Sequence, residues 1–97
     1  MTAVRWTETA ARDLETIRDY IAQDSPTIAR MVVSRLVEAT AVLRHHPDAG
    51  RIVPERGESS LRELIRAPYR IVYERRADIV VVLTVFHSAR LFPADIP

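Results

Sequence analysis

The sequence predicts an α+β fold of order β-α-α-β-β-β, a helical hairpin packed on one face of a small antiparallel sheet. Three observations carry that reading. Apolar residues recur at helical spacing in two blocks between residues 10 and 43. Beyond residue 60 the periodicity becomes extended. The segments of that second half are joined by the turns "RAP" and "RAD", too short for anything but antiparallel pairing.

Taken in order, "AVRW" at 3–6 is a short alternating stretch suited to a sheet edge, and Thr7, with Glu8 and Ala10 behind it, reads as an N-cap. Ala10, Leu14, Ile17 and Ile21 then form one helical stripe, with Arg12 and Asp19 on the outer face, ending near "QDSP". Ser25 and Pro26 open a second helix, since proline in the first turn forfeits no hydrogen bond. Ala29, Val32, Val33, Leu36, Thr40 and Leu43 give it a wider apolar face, and His45, His46 and Pro47 close it. The turn between the helices is short enough to force an antiparallel hairpin.

"HPDAGRIVPERGESS" collects both glycines and two of the six prolines, marking the passage from loop to sheet. Strands follow at 61–65, 69–76 and 79–86. In the second of these Tyr69, Ile71 and Tyr73 point one way and Arg70, Val72 and Glu74 the other. The last strand is apolar on both faces and is therefore central. Helices on one side leave the other sheet face open, and Arg70 on it is either part of a binding surface or, with Glu74, a solvating residue.

Ninety-seven residues that are 47% hydrophobic, with no low-complexity tract, suit a single domain over 1–97 with one modest core. Without cysteine there is no disulfide, thiolate metal site or thiol nucleophile. No secretory signal is visible, and the longest apolar run, 79–86, is too short to span a bilayer. The expectation is a cytoplasmic protein away from membranes. All 14 basic residues are arginine, in a chain of net charge +1. Guanidinium binds phosphate or carboxylate but cannot act as a lysine base, so any general base must be His, Tyr or an acid. A GC-rich genome would produce the same bias.

Dinucleotide, phosphate-loop, serine-hydrolase and zinc-protease motifs are all absent. His45 and His46 are adjacent at a helix end, where imidazolium suits the dipole and the two rings diverge, so they read as a cap and not as metal ligands. Trp6 reads as core. His87 continues the alternation of Ile79, Val81, Leu83 and Val85, with Arg90 three residues on. One account has His87 capping the sheet edge and Arg90 paired with Glu63 or Glu74.

Four pieces in order, "VRWTETAARDLETIRDYIAQDSPTIA", "LRHHPDAGRIVPE", "LRELIRAPYRIVYE" and "VLTVFHSARLFP", resemble the RelE/ParE superfamily of type II toxins over essentially the whole chain. The resemblance implies a compact toxin neutralised by a cognate antitoxin in a hetero-oligomer, with no cofactor. RelE-like members are described as cleaving messenger RNA on the ribosome, ParE-like members as inhibiting DNA gyrase without an established hydrolytic site. Arg70 matches the family arginine that supports phosphate in the nucleases, Arg62 lies near the lysines of RelE-like members, and His87 resembles the acid/base histidine of a related branch. That catalytic set of Arg62, Arg70 and His87 is incomplete, since lysine is absent and Ser88 stands where a tyrosine is expected. "FHSARLFP" resembles the His-x-x-Arg ending of ParE-like members. On this basis Arg70, His87 and Arg90 are target-contacting or family-signature residues, and the expected activity is gyrase inhibition, the alternative a ribosome-dependent ribonuclease. The antitoxin segment is expected to be partly helical and acidic, covering the helical hairpin and approaching the arginines of the open sheet face.

Overall fold

The structure, a computed structural model, describes residues 1–96. Its elements are β1 (Ala3–Trp6), α1 (Glu8–Ala22), α2 (Pro26–Ala39), a 3-10 turn (Thr40–Arg44), β2 (Arg51–Ile52), β3 (Leu61–Arg66), β4 (Tyr69–Arg75) and β5 (Ile79–His87). The helices pack on a five-stranded sheet of order β1-β5-β4-β3-β2. Both N-caps are those expected: the Thr7 hydroxyl accepts from the Ala10 N–H and the Ser25 hydroxyl from that of Ile28. The second helix yields to the 3-10 turn at Thr40, whose hydroxyl donates back to the Val37 carbonyl at 2.7 Å, competing with the helical ladder.

The sheet is mixed, and not purely antiparallel. β2 to β5 alternate in direction, but β1 runs parallel to β5, from Ala3 opposite Ile79 to Trp6 opposite Val82. Turn length dictates direction only where neighbouring strands are joined by a turn. β1 reaches its neighbour through most of the chain, so no such rule constrains it. β5 lies inside the sheet, as its two apolar faces require. The additional strand β2 is only two residues long and shows no periodicity of its own.

One core lies between helices and sheet, built on Ala10, Leu36, Leu43, Ile71, Tyr73 and Val82, with Trp6 packed against it. Tyr73 is fully buried there, and burial pushes its hydroxyl's pKa up. That hydroxyl donates to the Pro47 carbonyl at 2.8 Å and accepts from the Gly50 N–H at 3.0 Å. Gly50 packs so closely that a Cβ would lie 2.5 Å from the Glu63 carbonyl oxygen, which reserves the position for glycine.

The opposite sheet face is not open. Val53, Leu61, Val72, Val81, Leu83 and Phe86 form a second cluster, with Phe92 and Ile96 from the C-terminal segment against it. The loop after β2 and the segment after β5 fold over this face, because its residues are too apolar to remain in water.

β5 also changes face along its length. Val72 pairs with Thr84 and Tyr73 with Val82, leaving Leu83 unpaired in a bulge. Val81 and Leu83 therefore join the second cluster, whereas Val85 joins the core under the helices. His87 stands on the helix side with Val85, correcting the simple alternation that grouped it with Ile79, Val81 and Leu83. Beyond Val82 no strand among the described residues lies beside this β5 edge, and the start of α1 with its N-cap supplies the partners. The Thr7 hydroxyl donates to the Leu83 carbonyl at 3.0 Å, and the Asp13 carboxylate accepts from the Thr84 hydroxyl at 2.6 Å and the Val85 N–H at 3.0 Å.

Replacing Tyr73 by phenylalanine keeps the packing and strands both the Gly50 N–H and the Pro47 carbonyl. The expected loss is about 1–3 kcal/mol of unfolding free energy, read as a lower urea midpoint with unchanged slope.

Candidate functional site

Arg70 sits on β4 opposite Ile65, on the face away from the helices, and is only 8% exposed. Its Nε donates to Glu63 Oε1 at 2.5 Å, and its two terminal nitrogens meet the two Glu55 oxygens at 2.8 Å each. The second Glu63 oxygen accepts from Arg51 Nε at 2.7 Å. The Arg70 guanidinium carbon lies 5.2 Å from the Phe86 ring centre and 5.3 Å from that of Phe92, so it is stacked as well as paired. Hydrogen bonding from Arg70 holds the Glu55 carboxyl down at about 2, against an ordinary 4.5, and the same fork raises Arg70. Two guanidinium and two carboxylate charges cancel in this cluster, which leaves little field for a phosphate.

Arg62 pairs across β3–β4 with Tyr73, on the helix side of the sheet. Its guanidinium donates to the carbonyls of Ser59 at 2.9 Å and Gly50 at 3.1 Å, and its Nε lies 3.4 Å from Asp48 Oδ1. Arg75 holds the same Asp48 oxygen at 3.0 Å. These bonds tie the loop before β2 to the sheet.

His87 ends β5 opposite Tyr69, the rings meeting edge to face at 5.7 Å. Its Nδ1 accepts the Ala89 N–H at 3.0 Å, and the ring stands at an exposed position with Nε2 on its other side. The Arg90 N–H bonds the His87 carbonyl, and the Ser88 N–H bonds the Pro68 carbonyl, so the turn after β5 is fastened to the β3–β4 turn. Neither Glu63 nor Glu74 pairs with Arg90: Glu63 is taken by Arg51 and Arg70, and Glu74 by Arg76.

The structure does not bring Arg62, Arg70 and His87 together. Arg70 lies on the opposite face from the other two, and Arg62 and His87 stand at β4 partners four residues apart, about 13 Å along the strand. What does assemble around His87 is a groove of about 430 Å³ between α1 and the sheet end, lined by Asp13, Ile17, Tyr20, Tyr69, His87 and Arg90. Asp13, Tyr20, Tyr69 and the Glu55 partner of Arg70 were not singled out from the sequence as site residues. Only Tyr69 could have been, as the neighbour of Arg70 at a strand start. His45 and His46 are exposed at the end of the 3-10 turn, and among the described residues no three His, Cys, Asp or Glu side chains are grouped as metal ligands would be.

Residues 4–92 match the family model described as ParE toxin of type II toxin-antitoxin system, parDE. The chain is 39% identical over 92 residues to Toxin RelE2 of Caulobacter vibrioides, covering 94% of this chain and all of that protein. It is 41% identical over 92 residues to the candidate toxin Y4kP of Sinorhizobium fredii, covering 93% of this chain and 92% of the other. Among solved structures, a chain of the chromosomal ParDE system of P. aeruginosa superposes with a TM-score of 0.74 at 26% identity, covering 90% of this chain and 96% of that one. A chain of the toxin-antitoxin complex RelBE2 from Mycobacterium tuberculosis does so with a TM-score of 0.60 at 30% identity, covering 89% and 96%.

Two predictions follow from the Arg70 cluster. Arg70→Met abandons a buried carboxylate and should cost about 3 kcal/mol in a urea titration, whereas Arg70→Met with Glu63→Leu should recover most of it. The second concerns acid. A carboxyl whose folded pKa lies below its unfolded value contributes stability that is complete above about 4.5 and fades as pH falls towards about 2. Glu55→Gln should therefore flatten the acid limb of the stability profile in that window, by an amount reduced by screening because the Glu55 side chain is 40% exposed. An acid limb identical to that of the unaltered protein would refute the pairing.

Proposed function

Since the chain belongs to the ParE toxin family of type II toxin-antitoxin systems, we propose that it arrests growth in the cytoplasm by binding DNA gyrase, and that a cognate antitoxin restrains it in a hetero-oligomer. The observation that carries the choice of gyrase is the engagement of both candidate phosphate-binding arginines. Cleavage through a 2′-hydroxyl needs a base, an acid and cations converging on one phosphate. Here Arg70 is neutralised by Glu55 and Glu63, Arg62 is spent on loop carbonyls and Asp48, and His87 lies on the other sheet face from Arg70. A binding mode asks less: exposed His87 and Arg90 at the sheet end serve as target contacts without a proton relay. Arg70 belongs to this reading as the residue that keeps the fold in shape beneath that end. The antitoxin reading draws support from the matched solved structures, which come from toxin-antitoxin systems. No helix among the described residues is long and apolar enough to cross a membrane.

Ribosome-dependent cleavage of messenger RNA is the second reading, and two observations favour it: similarity to a protein named RelE2, and the exposed His87 with one ring nitrogen unoccupied.

Expression without antitoxin separates the two. Under the gyrase reading, supercoiling of a reporter plasmid falls first while messenger RNA stays intact. His87→Ala should then cost at most about 1–2 kcal/mol of stability and leave most of the toxicity. A ribonuclease would instead show cleaved ribosome-bound transcripts, and the same substitution would remove roughly 10²- to 10⁴-fold of its rate. That second pattern would end the gyrase proposal.

A further inference from the structure

We propose that Asp13 is a positioning residue for the toxin's action: its carboxylate holds the end of β5 against α1 and thereby sets His87 and Arg90 for contact with the target; this rests on the reading of that sheet end as the target-contacting surface. β1 accompanies β5 only from Ile79 to Val82. From Thr84 to His87 the strand has β4 on one side, and on the other the start of α1 takes over. The Thr7 N–H donates to the Val82 carbonyl and the Thr7 hydroxyl to that of Leu83, both at 3.0 Å. One residue further on, a single oxygen of Asp13 accepts from the Thr84 hydroxyl at 2.6 Å and from the Val85 N–H at 3.0 Å. Among the described residues no hydrogen bond ties α1 to β5 beyond that point.

Glu8 and Asp19 on the same helix hold the surface guanidinium groups of Arg12 and Arg18, whereas Asp13 has no ion pair among the described residues and turns to the sheet. Its two donors are shut away from water, Thr84 being 5% and Val85 2% exposed. Removing the acceptor strands both and drives the strand end to shift towards water or another acceptor. His87 follows Val85 by two residues and would shift with it. The His87 ring sits against Tyr69 at 5.7 Å, its carbonyl accepts the Arg90 N–H at 3.0 Å, and the Ser88 N–H beside it donates to the Pro68 carbonyl at 2.8 Å. Arg90 therefore takes its place from the turn, and the turn from the strand end that Asp13 holds. Asp13, His87 and Arg90 line one groove, so a displacement at the first reaches the other two through packed chain.

The test compares Asp13→Ala, which has no acceptor, with Asp13→Asn, whose amide oxygen can take both bonds, and with Tyr73→Phe, which strands buried groups away from this sheet end. Expressed without antitoxin, Asp13→Ala should need about 10-fold more protein than wild type to arrest growth, whereas Asp13→Asn and Tyr73→Phe should match wild type. Two-dimensional NMR of the purified chains should show the contact between the Tyr69 and His87 rings lost in Asp13→Ala and kept in the other two. Should Asp13→Ala fail to fold, Thr84→Val, which removes one of the two bonds and keeps the shape, should lose toxicity several-fold, and unchanged toxicity there would overturn the proposal. It is equally overturned if Asp13→Ala stays as toxic as wild type or keeps the ring contact, if Tyr73→Phe loses toxicity to the same extent, or if Asp13→Asn fails to restore it. A wild type that arrests no growth overturns the proposal and the reading beneath it together. One that arrests growth yet leaves gyrase supercoiling untouched ends only the gyrase reading, and the ranking of the variants still decides the role of Asp13.

Discussion

The Glu63 carboxylate is the constraint on which much of the second sheet face depends. Its side chain is completely buried, and a buried charge is tolerable only when paired and hydrogen-bonded. Arg70 satisfies one oxygen and Arg51 the other. Arg51 belongs to β2, so pairing it with Glu63 holds a two-residue strand that would otherwise have little to fasten it. Arg70 then reaches past Glu63 to Glu55, which anchors the loop after β2, and its guanidinium face receives Phe86 and Phe92. One acid on β3 thereby orders a loop, an edge strand and the segment after β5.

The chemical consequence is a division of labour among identical side chains. Arginine suits both roles, because its planar fork can be locked by carboxylates or left free to seek them. At the β2–β3 side of the sheet the arginines are consumed: Arg51 and Arg70 by Glu63 and Glu55, Arg62 and Arg75 by Asp48. At the end where the β3–β4 turn meets the turn after β5, Arg66 and Arg90, and with them Arg35 from α2, have no ion pair among the described residues. A net charge of +1 conceals this arrangement entirely. Binding capacity depends on which guanidinium groups lack a carboxylate within reach.

The parts legible in the sequence were those governed by local rules. Caps at Thr7 and Ser25, the helical stripes, the tight turns and the central place of β5 each follow from a few neighbouring residues. What escaped depended on residues far apart in the chain. The direction of β1 is decided by its pairing with β5 more than seventy positions away. The cover on the second sheet face comes from a loop and a terminal segment with no periodicity. Alternation places Arg70 on the face away from the helices, but its partner Glu55, fifteen residues earlier, gives no local sign of reaching it. The bulge at Leu83 inserts no turn residue and no glycine, so nothing in "VVVLTVF" announces that the pattern changes face.

That bulge also explains how a helix can govern the site. β1 stops opposite Val82, so the β5 edge past that point must find hydrogen-bond partners elsewhere or leave them to water. Asp13 provides them from the first half of α1, accepting from both Thr84 and Val85. Because Val85 is turned under the helices, His87 follows two residues later on the same side, where Tyr69 meets its ring. The bulge thus sets which side of the sheet the last histidine occupies, and the Asp13 carboxylate holds the strand edge beyond it. The groove beside it is consequently walled by α1, and any movement of that helix against β5 would alter the groove's width and the setting of His87 together.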